Sequence, residues 1–221
     1  MNIAHRPNRL LLGGLLLVAA ALVLAIAPTG AASAAPNPPA PGELSGFALS
    51  VQKVVLRWAA APIDPAAIRY SIRRDATRIA VVNGDQLGYI DTTVQPGRAY
   101  TYSVRAIEGE EASAASNSLA VQVPPLPDTP DLTPPSPPEN LSAAVNAGAV
   151  LLDWYPANDD TDISAYLLRR DGLPLALLGA GTLRYEDTGV AAGANYTYTI
   201  EAIDVVEHSS VPSNPAQVVL P

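Results

Sequence analysis

The chain carries one stretch of sequence twice, and this internal repeat limits the possible folds more than any other feature. Aligned without a gap, residues 70–108 and 166–204 share 16 identical residues in 39 positions. The spacing of 96 residues exceeds the length of solenoid repeats, which is about 20 to 50 residues, and suits a small self-contained domain. The sequence therefore predicts two copies of one module.

Within each copy, apolar and polar residues alternate, which indicates β-strands with one buried face. Val54, Leu56 and Trp58 share a face in the first copy, and Arg57 between them points outward. Turns are predicted where glycine follows asparagine, proline, aspartate or alanine between such runs. About seven short strands per copy predict an all-β fold of two antiparallel two-sheet sandwiches in tandem. Further inward positions are Tyr70, Ile72, Tyr100, Tyr102, Val104 and Ala106, with Trp154, Tyr166, Tyr196 and Tyr198 among their counterparts.

These motifs resemble fibronectin type III modules, and in particular the bacterial extracellular subset that is often attached to polysaccharide-degrading enzymes. The second copy carries its motifs at Tyr166, Arg170-Asp171-Gly172, Tyr185-Glu186-Asp187-Thr188, Tyr196, Tyr198 and Ser213-Asn214. The resemblance places module one at residues 42–123 and module two at 138–221. It implies an immunoglobulin-like sandwich in each, and it says little about a ligand.

The resemblance also assigns structural roles to the aromatic residues. Tyr100 and Tyr196 match the tyrosine corner, in which the hydroxyl bonds to backbone at one end of the sandwich. Trp58, Tyr70, Trp154 and Tyr166 are expected in the cores. A tryptophan could instead stack on a sugar ring, but both lie in inward-facing positions.

The N-terminal 34 residues have the layout of a signal peptide. Arg6 and Arg9 precede an apolar run over residues 10–27, and Ala32-Ser33-Ala34 is a plausible cleavage site. The alternative is an uncleaved helix that anchors the protein in the membrane through residues 10–27. Either way, we expect a secreted or cell-surface protein, joined to module one by a short proline-rich spacer at residues 35–41.

A second proline-rich segment separates the modules at residues 124–137. Eight prolines lie between Val123 and Leu141, and such a composition favours an extended polyproline II conformation. At about 3.1 Å per residue, this semi-rigid spacer could hold the modules about 40 Å apart if it stays off their surfaces.

Charge is distributed unevenly between the modules. Residues 41–123 carry eight basic and eight acidic side chains, whereas residues 137–221 carry three and eleven. We therefore expect neither nucleic acid nor an anionic membrane surface as a partner, because no basic stripe is apparent. The chain has no cysteine, so neither disulfides nor cysteine-based metal sites can form.

Two loops of module two contain candidate site residues. Asp159, Asp160 and Asp162 are weak candidates for calcium, which prefers clustered carboxylates; the alternative is a solvated turn. Val205, Val206 and His208 form a possible contact loop, since two valines at a loop tip could meet a partner. Alternatively, the valines fold back onto the end of the module.

No arrangement of a nucleophile with a base, no phosphate loop and no histidine cluster is evident. We therefore expect no enzymatic activity and no cofactor. The sequence predicts an exported binding or spacer protein that contacts another protein or mediates adhesion at the cell surface. The alternative is an accessory module for polysaccharide binding or degradation. The copies differ most in surface charge, with Arg57 against Asp153 and Arg105 against Glu201, so a partner should prefer one module.

Overall fold

A computed structural model describes residues 37–221 of the chain. The predicted signal or anchor segment at residues 1–34 lies outside the described residues. Among the described residues, no helix has the length and apolar character needed to span a membrane.

Module one is an antiparallel sandwich of two sheets. One sheet has the order β1-β2-β5, and the other has the order β4-β3-β6, with β7 and β8 both pairing with β6. A single 3-10 turn, Pro65–Ala67, lies between β2 and β3. The strands are β1 (Gly42–Ser50), β2 (Lys53–Ala59), β3 (Arg69–Arg74), β4 (Thr77–Asn83), β5 (Gly88–Asp91), β6 (Ala99–Glu108), β7 (Glu111–Ala112) and β8 (Leu119–Gln122).

Module two repeats this topology. Its sheets have the orders β9-β10-β13 and β12-β11-β14-β15, and all of its strand pairs are antiparallel. The predicted all-β class, with two tandem sandwiches, is confirmed. The strands are β9 (Glu139–Asn146), β10 (Ala149–Tyr155), β11 (Ile163–Arg170), β12 (Leu173–Gly179), β13 (Arg184–Asp187), β14 (Asn195–Asp204) and β15 (Ala216–Val219).

The two cores are built from matching residues. Trp58 packs edge-on against Tyr70 with ring centroids 5.5 Å apart, and Trp154 packs in the same way against Tyr166 at 5.9 Å. Each of these two tyrosine hydroxyls accepts a backbone N–H, that of Ala61 or Ala157. Burying one large apolar side chain contributes about 1.5–3 kcal/mol, so the alternating pattern supplies the stability that disulfides cannot.

A buried ion pair joins the two sheets of each module. In module one, the Asp91 carboxylate accepts hydrogen bonds from Arg74 at 2.8 Å and from the Tyr102 hydroxyl at 2.9 Å. Asp187 of module two makes the same bonds with Arg170 and Tyr198, at 2.7 and 2.8 Å. The repeated Tyr-x-Asp-Thr and Tyr-x-Tyr motifs thus meet at one polar group inside the sandwich.

The linker bonds to both modules, so the condition for a spacing of about 40 Å, a linker that stays off their surfaces, is not met. Ser136 and Asn158 exchange two hydrogen bonds of 2.9 Å, which fasten the linker to module two. At its other end, the Pro124 carbonyl accepts the Gly97 N–H of module one. The prolines favour an extended chain, but the polar residues between them find partners on the modules.

The modules also touch each other directly. The Val51 N–H in the turn after β1 donates to the Val205 carbonyl at 2.9 Å. Beside this bond, Lys53 pairs with Glu207 at 2.6 Å. Both contacts join the β1–β2 turn of module one to the loop that follows β14.

The turn between β3 and β4 offers a stabilising substitution. Asp75 and Ala76 there have φ angles of 48° and 65°, and the left-handed region costs a residue with a Cβ about 1–2 kcal/mol. Module two has Gly172 at the position of Ala76, with φ 78°. We expect Ala76→Gly to raise the free energy of unfolding of module one by about 1 kcal/mol, measured by urea denaturation. The reverse change Gly172→Ala should weaken module two by a similar amount; a destabilising Ala76→Gly would contradict the prediction.

Candidate functional site

The linker meets module two at a cluster of four carboxylates and one imidazole. We call this cluster the linker junction: Asp131, Asp159, Asp160, Asp204 and His208. Asp131 belongs to the linker and accepts a hydrogen bond from the Thr161 hydroxyl at 2.7 Å. The same hydroxyl lies 2.8 Å from Asp159. Because one hydroxyl has one proton, it can satisfy only one of these two carboxylates at a time.

The loop after β14 completes the linker junction. One Asp204 oxygen, Oδ1, accepts the backbone N–H groups of Val206 and His208, at 2.8 and 2.9 Å. This closes the loop and turns the imidazole toward the linker. His208 Nδ1 lies 3.0 Å from the other Asp204 oxygen, Oδ2, and 3.8 Å from Asp131 Oδ1.

The electrostatic balance at the linker junction is unfavourable for two full negative charges. The side chains of Asp131 and Asp204 have no exposed surface. Burial and the neighbouring Asp131 raise the pKa of Asp204, against hydrogen bonds and His208 that lower it. Hydrogen bonds from Thr133 and Thr161 lower the pKa of Asp131. The protein therefore stabilises the charged form of Asp131 more than that of Asp204.

The structure separates the three calcium candidates. Asp159 and Asp160 lie beside Asp131 of the linker. Asp131 is not among the candidates that the sequence pattern predicts. Asp162 lies outside that group within the described chain, and its backbone carbonyl accepts the Val205 N–H. The linker aspartate was missed because it is distant in sequence, and only the folding back of the linker brings it close.

The predicted contact loop faces module one. Val205 is 5% exposed, and its carbonyl accepts the Val51 N–H of module one. Of the two alternatives, exposed valines or valines folded back onto the end of the module, the burial of Val205 fits the second, while Val206 is half-buried. His208 is half-buried and belongs to the linker junction.

Module one presents a second candidate site, a group of arginines that we call the arginine face: Arg69, Arg73, Arg78 and Arg105. They surround Ser71 on the outer surface of the β4-β3-β6 sheet, where a depression of about 620 Å³ is lined by all four. Arg105 pairs across the strands with Ser71, and Arg78 with Arg73. The expectation that no face carries a basic stripe is wrong here.

The arginine face has few internal partners. Among the described residues, none of its four guanidinium groups forms a salt bridge. Arg105 Nε is buried without a hydrogen-bond partner. The corresponding surface of module two holds Arg169, which is paired with Glu201 at 2.9 Å. Arg73 and Arg105 donate to the backbone carbonyls of Ala76 and Ser113. Within residues 37–221, an anionic ligand would thus find a cluster of guanidinium groups without carboxylate partners on module one.

Sequence reasoning could have found two of these arginines and missed the others. Arg69 and Arg73 are four residues apart on one strand, so they face the same side. Arg78 and Arg105 join them only through the pairing of three strands, which a count of charges over the whole module conceals. Eight acidic residues of module one balance its net charge, and one of them, Glu110, lines the same depression as the arginines.

The predicted structural aromatics lie at the core and its ends. Trp58 and Trp154 are 4% and 3% exposed, so neither ring is available to stack on a sugar. The Tyr100 hydroxyl accepts the Gln95 N–H at 3.0 Å, and the Tyr196 hydroxyl accepts the Ala191 N–H at 3.1 Å. These bonds close the end of each sandwich in the manner of a tyrosine corner.

No family model matches the chain. In sequence, the chain is 29% identical over 185 residues to Exoglucanase B of Cellulomonas fimi, an alignment that covers 82% of this chain and 16% of that protein. Chitinase A1 of Niallia circulans is 26% identical over 182 residues, covering 82% of this chain and 26% of the chitinase. The chain thus spans about a quarter or less of these relatives.

Among solved structures, a segment of two fibronectin type III domains from chicken tenascin matches at a TM-score of 0.33 and 15% identity. It covers 81% of this chain and 99% of the segment. By strand order and pairing, the described chain is a tandem of two sandwiches of the fibronectin type III kind.

Proposed function

We propose that this chain is a non-catalytic accessory protein that acts outside the cytoplasm and binds an anionic polysaccharide through the arginine face. The observation that carries the proposal is the cluster of four guanidinium groups on the outer surface of the β4-β3-β6 sheet. None of the four forms a salt bridge among the described residues. Guanidinium groups bind carboxylates with charge-assisted, often paired hydrogen bonds. An open sheet surface also suits an extended polymer better than it suits a small molecule.

The sequence relatives support the polysaccharide over other anions. Exoglucanase B and Chitinase A1 are named for enzymes that act on polysaccharides, and both contain a stretch similar to this chain. Because the chain spans so little of either relative, their activities are not assigned to it. The buried tryptophans argue against ring stacking, so recognition would rest on charge. Nucleic acid remains disfavoured by the net charge of −8.

Module two would serve as a fixed support in this proposal. The hydrogen bond between Val51 and Val205, the pair of Lys53 with Glu207, and the docked linker hold it beside module one. Contact with another protein, the function expected first from the sequence, would use the same arginines if the surface of that protein is acidic. The two possibilities differ in whether purified polysaccharide alone is sufficient for binding.

The test is affinity electrophoresis of the full chain in gels that contain either polygalacturonate or neutral hydroxyethyl cellulose. We expect retardation by polygalacturonate only, weakening as salt is raised. Arg69→Gln combined with Arg78→Gln should lower the affinity about fivefold, since two exposed ion pairs are worth about 1 kcal/mol together. Neither side chain makes a hydrogen bond or salt bridge among the described residues, so the fold should be unaffected.

The matched control is Arg57→Gln combined with Arg98→Gln, which removes two positive charges from module one away from the arginine face. We expect this control to change the affinity less than twofold. Equal loss in both double variants would mean that net charge alone acts. Equal retardation in the neutral gel, or none in either gel, would contradict the proposal, and the second result would favour a protein partner.

A further inference from the structure

We propose that the linker junction binds a divalent transition-metal ion, of the kind of Zn²⁺, through the carboxylates of Asp131 and Asp204 and the imidazole Nδ1 of His208. One potential ligand atom from each of the three residues lies within 4.8 Å of the other two. This inference is independent of the arginine face and of polysaccharide binding.

The first support is that, within residues 37–221, the imidazole of His208 is the one basic group beside the two covered carboxylates. Module two has three arginines, and each is paired elsewhere: Arg169 with Glu201, Arg170 with Asp187, and Arg184 with Asp153. The neighbouring lysine of module one, Lys53, pairs with Glu207. Apart from the imidazole of His208, the two covered carboxylates thus have no counter-charge among the described residues. A divalent ion would supply it.

The second support is a pair of buried atoms without hydrogen bonds. Asp204 has no exposed surface, and its Oδ2 lacks a hydrogen-bond partner, as does His208 Nδ1. The two atoms are 3.0 Å apart, but their alignment does not meet hydrogen-bond geometry. A carboxylate oxygen and an imidazole nitrogen this close, without other partners among the described residues, are the types of ligand atom that a transition-metal ion requires. Ligands bound at about 2.1 Å lie roughly 3.0–3.4 Å apart in octahedral or tetrahedral coordination.

The donor set favours a transition metal over calcium. Calcium and magnesium take oxygen ligands, whereas imidazole suits zinc and its neighbours. Thr133 and Thr161 donate hydrogen bonds to the Asp131 carboxylate. Such outer contacts orient a ligand and maintain its negative charge. The Thr133 hydroxyl lies 2.9 Å from Asp160, and the Thr161 hydroxyl lies 2.8 Å from Asp159. These two further carboxylates strengthen the negative potential around the site.

An ion at this position would fix the linker to the loop after β14. That loop also carries two direct contacts with module one, through the Val205 carbonyl and the Glu207 carboxylate. Metal binding would therefore couple three elements: the linker, module two and the interface between the modules. The proposed result is a tandem whose two modules are held in one orientation when the ion is bound.

The experiment uses the full chain, treated with chelator and then titrated with ZnCl₂ by isothermal calorimetry. We expect one ion per chain and a rise in melting temperature on binding. Asp131→Asn and His208→Gln should each weaken Zn²⁺ binding more than tenfold. Asp204 is left intact because its Oδ1 holds the loop through two backbone N–H groups, so its replacement would confuse folding with binding.

Asp128→Asn serves as the control, because it removes a linker carboxylate that lies outside the junction and should leave Zn²⁺ binding unchanged. Near-ultraviolet circular dichroism checks that each variant keeps its tertiary structure. Absence of Zn²⁺ binding in the wild type, or equal loss in Asp128→Asn, would overturn the proposal. So would tighter binding of CaCl₂ that Asp159→Asn abolishes and His208→Gln does not, since that result assigns the ion to the carboxylates alone.

Discussion

Asp91→Asn is expected to lower the free energy of unfolding of module one by about 3 kcal/mol. The side chain of Asp91 has no exposed surface, while that of Arg74 is 21% exposed. Removing the negative charge leaves a mostly buried guanidinium group without its partner. Asparagine also offers only one acceptor oxygen to four donors: the Arg74 guanidinium, the Tyr102 hydroxyl, and the hydroxyl and backbone N–H of Thr93.

The decrease in the free energy of unfolding caused by Asp91→Asn should depend on pH. Burial alone would raise the pKa of Asp91, but hydrogen bonds from Thr93 and Tyr102, and the charge of Arg74, hold it below its usual value. A carboxyl whose pKa is lower in the folded state stabilises the fold above its unfolded pKa, which is about 3.9. This contribution is lost as the pH falls through the folded value. Wild type and variant should therefore converge in acid.

Tryptophan fluorescence can follow each module separately, because the chain has two tryptophans, one per module. In a Trp154→Phe background, urea denaturation reports module one through Trp58. Tyr102→Phe is the control for Asp91→Asn, since it removes one hydrogen bond and keeps the ion pair, at a cost of about 1 kcal/mol. Equal costs for the two variants, or a cost of Asp91→Asn that persists in acid, would show that the ion pair is not the stabilising element.

Gly84→Ala is the second substitution with a large expected effect, about 3 kcal/mol of destabilisation in module one. A Cβ at this buried glycine would lie 2.2 Å from the Pro65 carbonyl oxygen and 2.8 Å from that of Ile68. Both atoms belong to the backbone beside the 3-10 turn Pro65–Ala67, so no side chain can rotate to make room.

The control for Gly84→Ala is Gly181→Ala in module two, where a Cβ would meet nothing within 4 Å. We expect that change to shift the free energy of unfolding by less than about 0.5 kcal/mol. Both variants can be measured by urea denaturation with the tryptophan of the affected module. If Gly84→Ala lowered the free energy of unfolding only slightly, the 3-10 turn would have to move away at little cost in free energy.

The same position illustrates where sequence comparison fails. In the internal alignment, Gly84 corresponds to Ala180, which suggests that alanine is harmless there. The loop between the second and third strands explains the difference. In module one it forms the 3-10 turn that covers Gly84, whereas in module two it carries Asp159 to Thr161 and binds the linker. Identical strands thus support different loops.

The core was predictable because its signal is local. Alternation in β2 and β6 identifies the buried faces through a period of two residues, which strand geometry imposes regardless of the partner strand. The buried tyrosines, the turns and the all-β class follow from it. The Asp91 ion pair was not predicted, although its residues are among the repeated ones, because pairing Arg74 with Asp91 requires the two sheets to be placed face to face.

The repeat by itself determined that the chain holds two copies of one β-sandwich, since its preserved positions are core and turn residues whose burial stabilises each module separately. What lies between and outside the cores follows only from the tertiary structure. It places the linker on module two, turns Val205 toward module one, and brings together four arginines on one sheet and four aspartates with a histidine at the linker junction. Those groupings depend on contacts between residues far apart in sequence, which no local pattern encodes.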